Sequence, residues 1–349
     1  MAKFTVGALF AGMGGFCAGF KHENFQTLWA SDINVDCRLP YETNFGNKNT
    51  ELLFGDEGDI RKLSGLRSNG LRPVDVLHAG FPCQSFSVAG RREGFNDAKG
   101  NGRLMFEIFR LLEEWSSQDK NYRPRIIVFE NTPNFIIGNG GEWFRKFCME
   151  LTRIGYWFSQ RNVFEIDTQA DFGMVQNRKR AFMIALDRSV YNGNRFDFTK
   201  GIKKQKQLLA DVIENEVDEK YYLKSDNRYF KEIMASKIDD GNFRLYHYRK
   251  YRVRPQKPNH CPTLPANMGM GGHNVPFVIT NQNRIRKLTE RECLRLQGFD
   301  DDYIVPDNLI SSKLYQMIGN SVSPVVSNTI ASEIKNFFEA ERFYGKLAV

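Results

Sequence analysis

The sequence predicts a doubly wound α/β fold built on a mostly parallel sheet, and three observations predict it. Short apolar, β-prone runs recur from the start of the chain to about residue 190. Amphipathic helical patterns separate them, and glycine-rich or polar turns follow several of them. Strands that alternate with helices pair in parallel and carry helices on both faces of the sheet.

The candidate strands are 4–10, 27–32, 75–79, 125–130, 157–165 and 181–186. Leu104, Ile108, Leu111, Leu112 and Trp115 recur at helical spacing between the third and fourth, and Phe144, Phe147, Cys148, Leu151 and Ile154 between the fourth and fifth. The alternation then stops. Residues 189–206 are polar and aromatic without period, and Pro255, Pro258, Pro262, Pro265 and the cluster Gly269-Met270-Gly271-Gly272 follow. This stretch predicts a separate, loop-rich module. Beyond it, 288–297 predicts a helix with Thr289 as N-cap and Glu292 three residues on, a capping box. A last helix is expected over 325–342. The expected domains are 1–190, 191–285 and a C-terminal segment 286–349 whose helical end returns to the first.

At 349 residues, 41% hydrophobic and 26% charged, the chain can bury a core for two domains and is too apolar to be disordered. No apolar run approaches the ~18 residues of a membrane helix. The first twenty residues loosely mimic a secretory signal, but their glycines make a poor apolar helix, and folded-domain sequence follows directly. Six cysteines (Cys17, Cys37, Cys83, Cys148, Cys261, Cys293) are too scattered for a disulfide framework or a zinc site. A monomer in a reducing cytoplasm, with no metal and no membrane partner, is expected.

The net charge of +8 is local. Between Gly241 and Thr289 there is no Asp or Glu, while Arg244, Arg249, Lys250, Arg252, Arg254, Lys257, Arg284, Arg286 and Lys287 all fall there. Without these nine the chain has 40 bases against 41 acids. Such a window is the footprint of a surface that faces polyphosphate.

In a doubly wound sheet, ligands bind beyond the carboxyl ends of the strands. After the first candidate strand comes FAGMGGF (10–16), and the second ends at Asp32, twenty residues beyond Gly12. A glycine turn followed at that distance by an acid suits a nucleoside-bearing cofactor, although the third glycine of a dinucleotide fingerprint is missing. Asp59, with Ile60, reads equally as an adenine contact or a surface acid. After the third strand comes GFPCQSFS (80–87). Pro82 stiffens the approach to Cys83, and a cysteine in a polar loop suits an activated nucleophile better than a packing residue. After the fourth comes FENT (129–132), where Glu130 ends a run too apolar to solvate a carboxylate well. A cap, an ion pair and a catalytic acid all remain open for it. QNRKR (176–180) precedes the last strand, with Arg178 and Arg180 at alternating positions.

These motifs, with RKLTERECLRLQGF (286–299) and IGNSVSP (318–324), resemble the DNA (cytosine-5)-methyltransferases of prokaryotic restriction–modification systems. The resemblance runs from Leu9 to about Pro324 in the family's order. It implies a Rossmann-like S-adenosylmethionine-dependent methyltransferase fold, with the basic stretch as target-recognition domain. It implies Cys83 as the nucleophile with Pro82 its loop partner, and Glu130 as the acid at N3 of the cytosine. Arg178 and Arg180 would line the base pocket, with Arg178 aimed at the base's carbonyl oxygen. Phe10, Gly12, Met13, Gly14, Gly15, Asp32, Ile33, Asp59, Ile60, Leu104, Asn320, Ser321 and Val322 would contact S-adenosylmethionine. Arg244, Arg249, Lys250, Arg252, Arg254 and Thr263 would meet duplex DNA. Thr132 stands where the family usually has valine, Ile33 where an aromatic is common, and the segment from Cys83 to Leu104 is slightly long. A cognate restriction endonuclease would be a functional rather than a physical counterpart. Competing expectations are a tRNA cytosine-C5 methyltransferase, a catalytically silent DNA-binding relative and a nicotinamide-dependent oxidoreductase.

Overall fold

The chain enters its larger sheet through β1 (Phe4–Leu9) and leaves it by a glycine turn into α1 (Gly15–His22). The computed structural model describes residues 4–66, 70–82, 101–189, 196–249, 251–270 and 274–347, with 101 and 341–347 as main chain only. β2 (Phe25–Asp32), α2 (Arg38–Phe45) and β3 (Glu51–Phe54) extend the sheet on one side of β1. β4 (Val76–Ala79), α3 (Leu104–Gln118) and β5 (Ile126–Asn131) extend it on the other. There follow α4 (Asn134–Ile137), α5 (Glu142–Ile154), β6 (Tyr156–Trp157), β7 (Val163–Asp167), α6 (Thr168–Phe172) and β8 (Lys179–Asp187). The strand order is β3-β2-β1-β4-β5-β8-β6, with β7 also on β8. β1 to β5 pair in parallel, whereas β8 runs antiparallel to β5 and to β6. This is the doubly wound, mostly parallel sheet that the alternation predicts.

β4 and β5 are buried along their whole length, as strands covered on both faces must be. On one face Leu77, Ala79, Ile127 and Phe129 meet Ile108 and Leu112 of α3 and Phe147 and Leu151 of α5 in one apolar core. Phe147 sits among Phe81, Phe129, Phe135 and Phe158, with ring centroids 4.9–6.4 Å apart. Aromatic rings at these separations add to the stabilisation that area burial alone supplies.

The structure divides into two compact units. One holds the chain up to Ile166, Lys179–Ile202 and everything from Pro324; the other holds Asp167–Arg178 and Lys203–Ser323. The chain therefore crosses between the units at 166/167, 178/179, 202/203 and 323/324. The second unit contains α7 (Leu209–Val212), α8 (Arg228–Ala235), β9 (Leu245–Arg249), β10 (Arg252–Pro255), β11 (Phe277–Ile279), β12 (Ile285–Lys287), α9 (Glu290–Gln297) and α10 (Ser311–Asn320). Its strands form an antiparallel sheet in the order β10-β9-β11-β12, so the stretch read as loop-rich has a core of its own. Ile233, Tyr246, Tyr248, Phe277 and Ile285 fill it. The capping box is present: Thr289 Oγ1 accepts from Glu292 N at 3.1 Å, and Glu292 Oε2 accepts from Thr289 N at 2.8 Å. From residue 324 onward the chain forms α11 (Pro324–Leu347), back in the first unit.

Two local differences have plain causes. The expected strand 157–165 is broken because Ser159 caps a turn at Gln160–Asn162, splitting it into β6 and β7. β3 escaped prediction because it is four residues long with only Phe54 buried.

Candidate active site

The strand order reverses its winding direction between β1 and β4, and that switch point is where such sheets open a crevice at their carboxyl edge. Leu9 pairs with Ala79, so the turn after β1 and the Gly80-Phe81-Pro82 segment after β4 leave the sheet side by side. Ala79 in turn pairs with Phe129, which sets Glu130 one step beyond on the next strand.

The turn after β1 is conformationally demanding. Phe10 has φ 53°, a region costly for a bulky residue, and Gly12 has φ 54°. A Cβ built on Gly12 would meet nothing within 4 Å, so space lies beside this backbone. Gly14, at φ 93°, caps α1, and Gly15 begins it. Met13 is buried beneath the turn. Asp32 ends β2 and braces the turn: its Oδ2 accepts from Gly12 N and its Oδ1 from Asn34 N, both at 2.8 Å. Burial pushes its carboxyl up, and those two hydrogen bonds oppose the shift. Ile33, the next residue, is exposed.

Asp59 is held below the usual carboxylate range by its bidentate hydrogen bonds to Arg61, the shortest at 2.6 Å. Ile60 is buried, and its carbonyl accepts from Arg110 Nη2 at 2.9 Å, as does Leu63 O. Arg110 is itself fixed by Glu107 and Glu114 on α3, the helix that Leu104 opens. Sequence reasoning passed over this clamp because its members lie 47–50 residues apart.

Antiparallel pairing puts Glu130 opposite Phe182, two residues from Arg180 on the same face of β8. Arg180 Nε lies 2.9 Å from Glu130 Oε1, and both side chains are largely buried. Cys83 lies outside the described residues, but its lead-in is well anchored. Fully buried Asn131 donates through Nδ2 to Phe81 O at 3.2 Å, and its Oδ1 accepts from Thr132 N at 2.8 Å. The polar residue ending an apolar strand was the sequence signal for Asn131, and Glu130 beside it drew the attention instead. Asn131→Ala strips both bonds from a dry site and is expected to cost about 1–3 kcal/mol of stability. The check is a lowered urea midpoint at unchanged slope.

The remaining described cysteines are poor candidates for a thiolate. Cys17, Cys37, Cys261 and Cys293 are buried and Cys148 half-buried. Burial pushes the Cys17 thiol up to about 12 and that of Cys148 to about 11, and raises the others as well.

The two arginines of QNRKR have different surroundings. Arg178 was expected to point at a base; instead it is 2% exposed within the second unit and donates to the carbonyls of Leu264, Gly319 and Ser321 at 2.9–3.3 Å. It thereby laces the IGNSVS segment in place. Gln297 Nε2 adds a bond to Ser321 O at 2.6 Å, and Gln176 Nε2 donates to Gln297 Oε1 at 2.9 Å. Asn320 is exposed at the end of α10, while Ser321 and Val322 are buried. Thr263 Oγ1 donates to Asn177 O at 2.6 Å, which commits its proton inside the unit.

The basic window is less free than its composition implies. Arg244 is buried and paired with Asp240, so it is corrected from a phosphate contact to a structural residue. Arg284 forms two bonds to Glu219, and Arg286 is buried against Glu292 at 2.6 and 2.9 Å. Their acids lie outside the window, at distances in sequence that a composition count ignores. Arg249, Arg252 and Arg254 are exposed, and no carboxylate pairs with them among the described residues. Lys250 lies outside the described residues. Among the described residues no helix is long and apolar enough to cross a membrane.

The model of the C-5 cytosine-specific DNA methylase family matches residues 4–336. The type II methyltransferase M.Bsp6I of Bacillus sp. (strain RFL6) is 34% identical over 333 residues, covering 94% of this chain and 98% of its own. M.NgoBI of Neisseria gonorrhoeae, also a type II methyltransferase, is 32% identical over 323 residues, covering 92% and 90%. Among solved structures, the Dnmt2 methyltransferase of S. pombe matches with a TM-score of 0.69 at 19% identity, covering 96% of this chain and 99% of that one. That last likeness concerns the fold.

Proposed function

Since the chain belongs to the C-5 cytosine-specific DNA methylase family and is a DNA cytosine-C5 methyltransferase, we propose that it methylates one cytosine within a short duplex sequence, extruding the base and attacking it through Cys83. It would serve as the modifying partner of a restriction–modification system, with S-adenosylmethionine as donor. The observation that carries this reading is the Glu130–Arg180 pair, 2.9 Å apart at the carboxyl edge, two strands from the glycine turn and beside the strand that leads to Cys83.

Carbon 5 of cytosine is too weak a nucleophile to take a methyl group unaided. Addition of the Cys83 sulfur to carbon 6 breaks the C5–C6 double bond and moves its electron pair to carbon 5. Glu130, at N3, would stabilise the charge that builds on the ring, and Arg180 orients Glu130 while offering further donors toward the base. Once carbon 5 carries the methyl group, loss of its proton restores the double bond as the bond from sulfur to carbon 6 breaks and its electron pair returns to sulfur. Arg178 holds the segment of Ser321 through its bonds to the carbonyls of Gly319 and Ser321.

The residues present fit S-adenosylmethionine, which when bound supplies an electrophilic methyl group. The open space beside Gly12 admits a ligand against the backbone, and Asp32 fixes the turn that borders it. Phe10, Gly12, Met13, Gly14, Gly15, Asp32, Ile33, Asp59, Ile60 and Leu104 would hold it from the first unit.

A base stacked in a duplex is beyond the reach of these groups, and extruding it costs a few kcal/mol. Grip on flanking phosphates must offset that cost. Replacing Arg249, Arg252 and Arg254 together by alanine is expected to flatten the salt dependence of duplex binding, by about 0.9 logarithmic units for each phosphate no longer neutralised. An unchanged slope in binding titrations would remove these arginines from the interface.

The function itself is tested by exposing a plasmid, and separately tRNA, to the full chain with methyl-labelled donor, followed by bisulfite sequencing. Label in DNA at one recurring sequence is expected. Label in tRNA alone, or in neither, would overturn the proposal.

A further inference from the structure

The tip of the β9–β10 hairpin is arranged against its own stability. Arg249 and Arg252 are paired directly opposite each other at the near ends of the two strands, and like charges so placed destabilise an antiparallel pair. Other arginines in this unit are neutralised from within, as Arg244, Arg284 and Arg286 are, but these two are exposed without a carboxylate partner among the described residues. The turn residue Tyr251 has φ 65°, where a bulky side chain is strained and glycine is the low-cost choice. Its side chain is also 88% exposed, so no packing inside the chain compensates for the strain. Backbone strain that local contacts do not explain is a pointer to a functional contact.

The tip stands on a firm base. Residues 245–248 of β9 are buried, and Tyr246 and Tyr248 belong to the core of this unit. β10 lies at the edge of the sheet, where Arg252 and Arg254 share an exposed face. A rigid support, two self-repelling cations and one bare aromatic ring match a polyanion whose interior is a stack of flat rings. We infer that Tyr251 stacks on a base, or wedges at a base step, of duplex DNA, while Arg249 and Arg252 pair with the phosphates on either side. This rests on the DNA-methylating reading above. It goes beyond it in naming an aromatic contact that composition alone assigns to the fold. Phosphates beside Arg249 and Arg252 would also remove the repulsion that the free hairpin carries.

The test uses the full chain and a duplex containing the sequence found by bisulfite mapping. Tyr251→Gly relieves the φ strain and deletes the ring; Tyr251→Asn, tolerant of the same φ, is the second variant; Tyr251→Phe keeps the ring. The glycine and asparagine variants are expected to melt at or above the wild-type temperature and to bind the duplex about 10- to 100-fold more weakly, with an unchanged salt slope. The phenylalanine variant is expected to bind within about twofold of wild type, since every ring has a face to stack. Wild-type affinity in the glycine and asparagine variants would overturn the inference. So would a loss in the phenylalanine variant equal to theirs, because the hydroxyl would then carry the contact. Wild-type protein that methylates no DNA defeats the parent reading instead, so the two failures are separable.

Discussion

Cys83→Ser yields a protein that binds duplex DNA and S-adenosylmethionine normally and transfers no measurable methyl group. A serine hydroxyl stays protonated at neutral pH, whereas a free thiol near pKa 8.5 supplies some thiolate and is intrinsically the better nucleophile. No described cysteine can substitute, because burial holds each of those thiols protonated. The change alters one atom, so the fold and both binding events are retained. The measurement is label transfer to the mapped duplex, with binding followed separately by titration. A duplex carrying 5-fluorocytosine at the target adds an independent readout, since fluorine cannot leave as the proton does. Wild-type protein should form an adduct that survives denaturation, and the serine variant none. Normal turnover in the variant would remove Cys83 from the mechanism.

The second large effect is expected at Glu130. Glu130→Gln keeps the shape of the side chain and loses both its charge and its capacity to hand a proton to N3. Removing one preorganised electrostatic contact from a dry site costs about 10²–10³ in turnover. Arg180 simultaneously loses the negative charge of the partner that lies 2.9 Å from its Nε, in a site only 18% exposed on the arginine side. Binding of duplex should change little, because the groups proposed to grip phosphate, Arg249, Arg252 and Arg254, lie elsewhere in the chain. Single-turnover rates at saturating DNA, compared with duplex dissociation constants, separate the two quantities. A variant with wild-type turnover would leave the ion pair as scaffolding only.

The strands that carry the candidate site were legible because β4 and β5 are continuous apolar runs, and only a strand covered on both faces reads that way. The motifs at their ends could be read for the same reason, since a polar residue that ends such a run stands out. What failed were interactions that close over long sequence separations. Arg178 and Arg180 look alike in the sequence, yet one donates to carbonyls at 264, 319 and 321 while the other pairs with Glu130. Arg286 reads as free in a window without acids, yet Glu292 just beyond that window neutralises it. The small sheet stayed hidden because Tyr246, His247 and Tyr248 are polar by composition and buried by their neighbours.

The helix that closes the first unit is made only after Lys203–Ser323 of the second has been synthesised. Gly19 of α1 packs so tightly on α11 that a Cβ there would lie 2.2 Å from the backbone nitrogen of Asn328, and Ser327 Oγ donates to Gly15 O at 3.0 Å. The glycine turn after β1 thus gains this buttress only once that insert is complete. A chain halted before residue 324 would lack α11, and with it the contacts that hold Gly15 and Gly19 of α1.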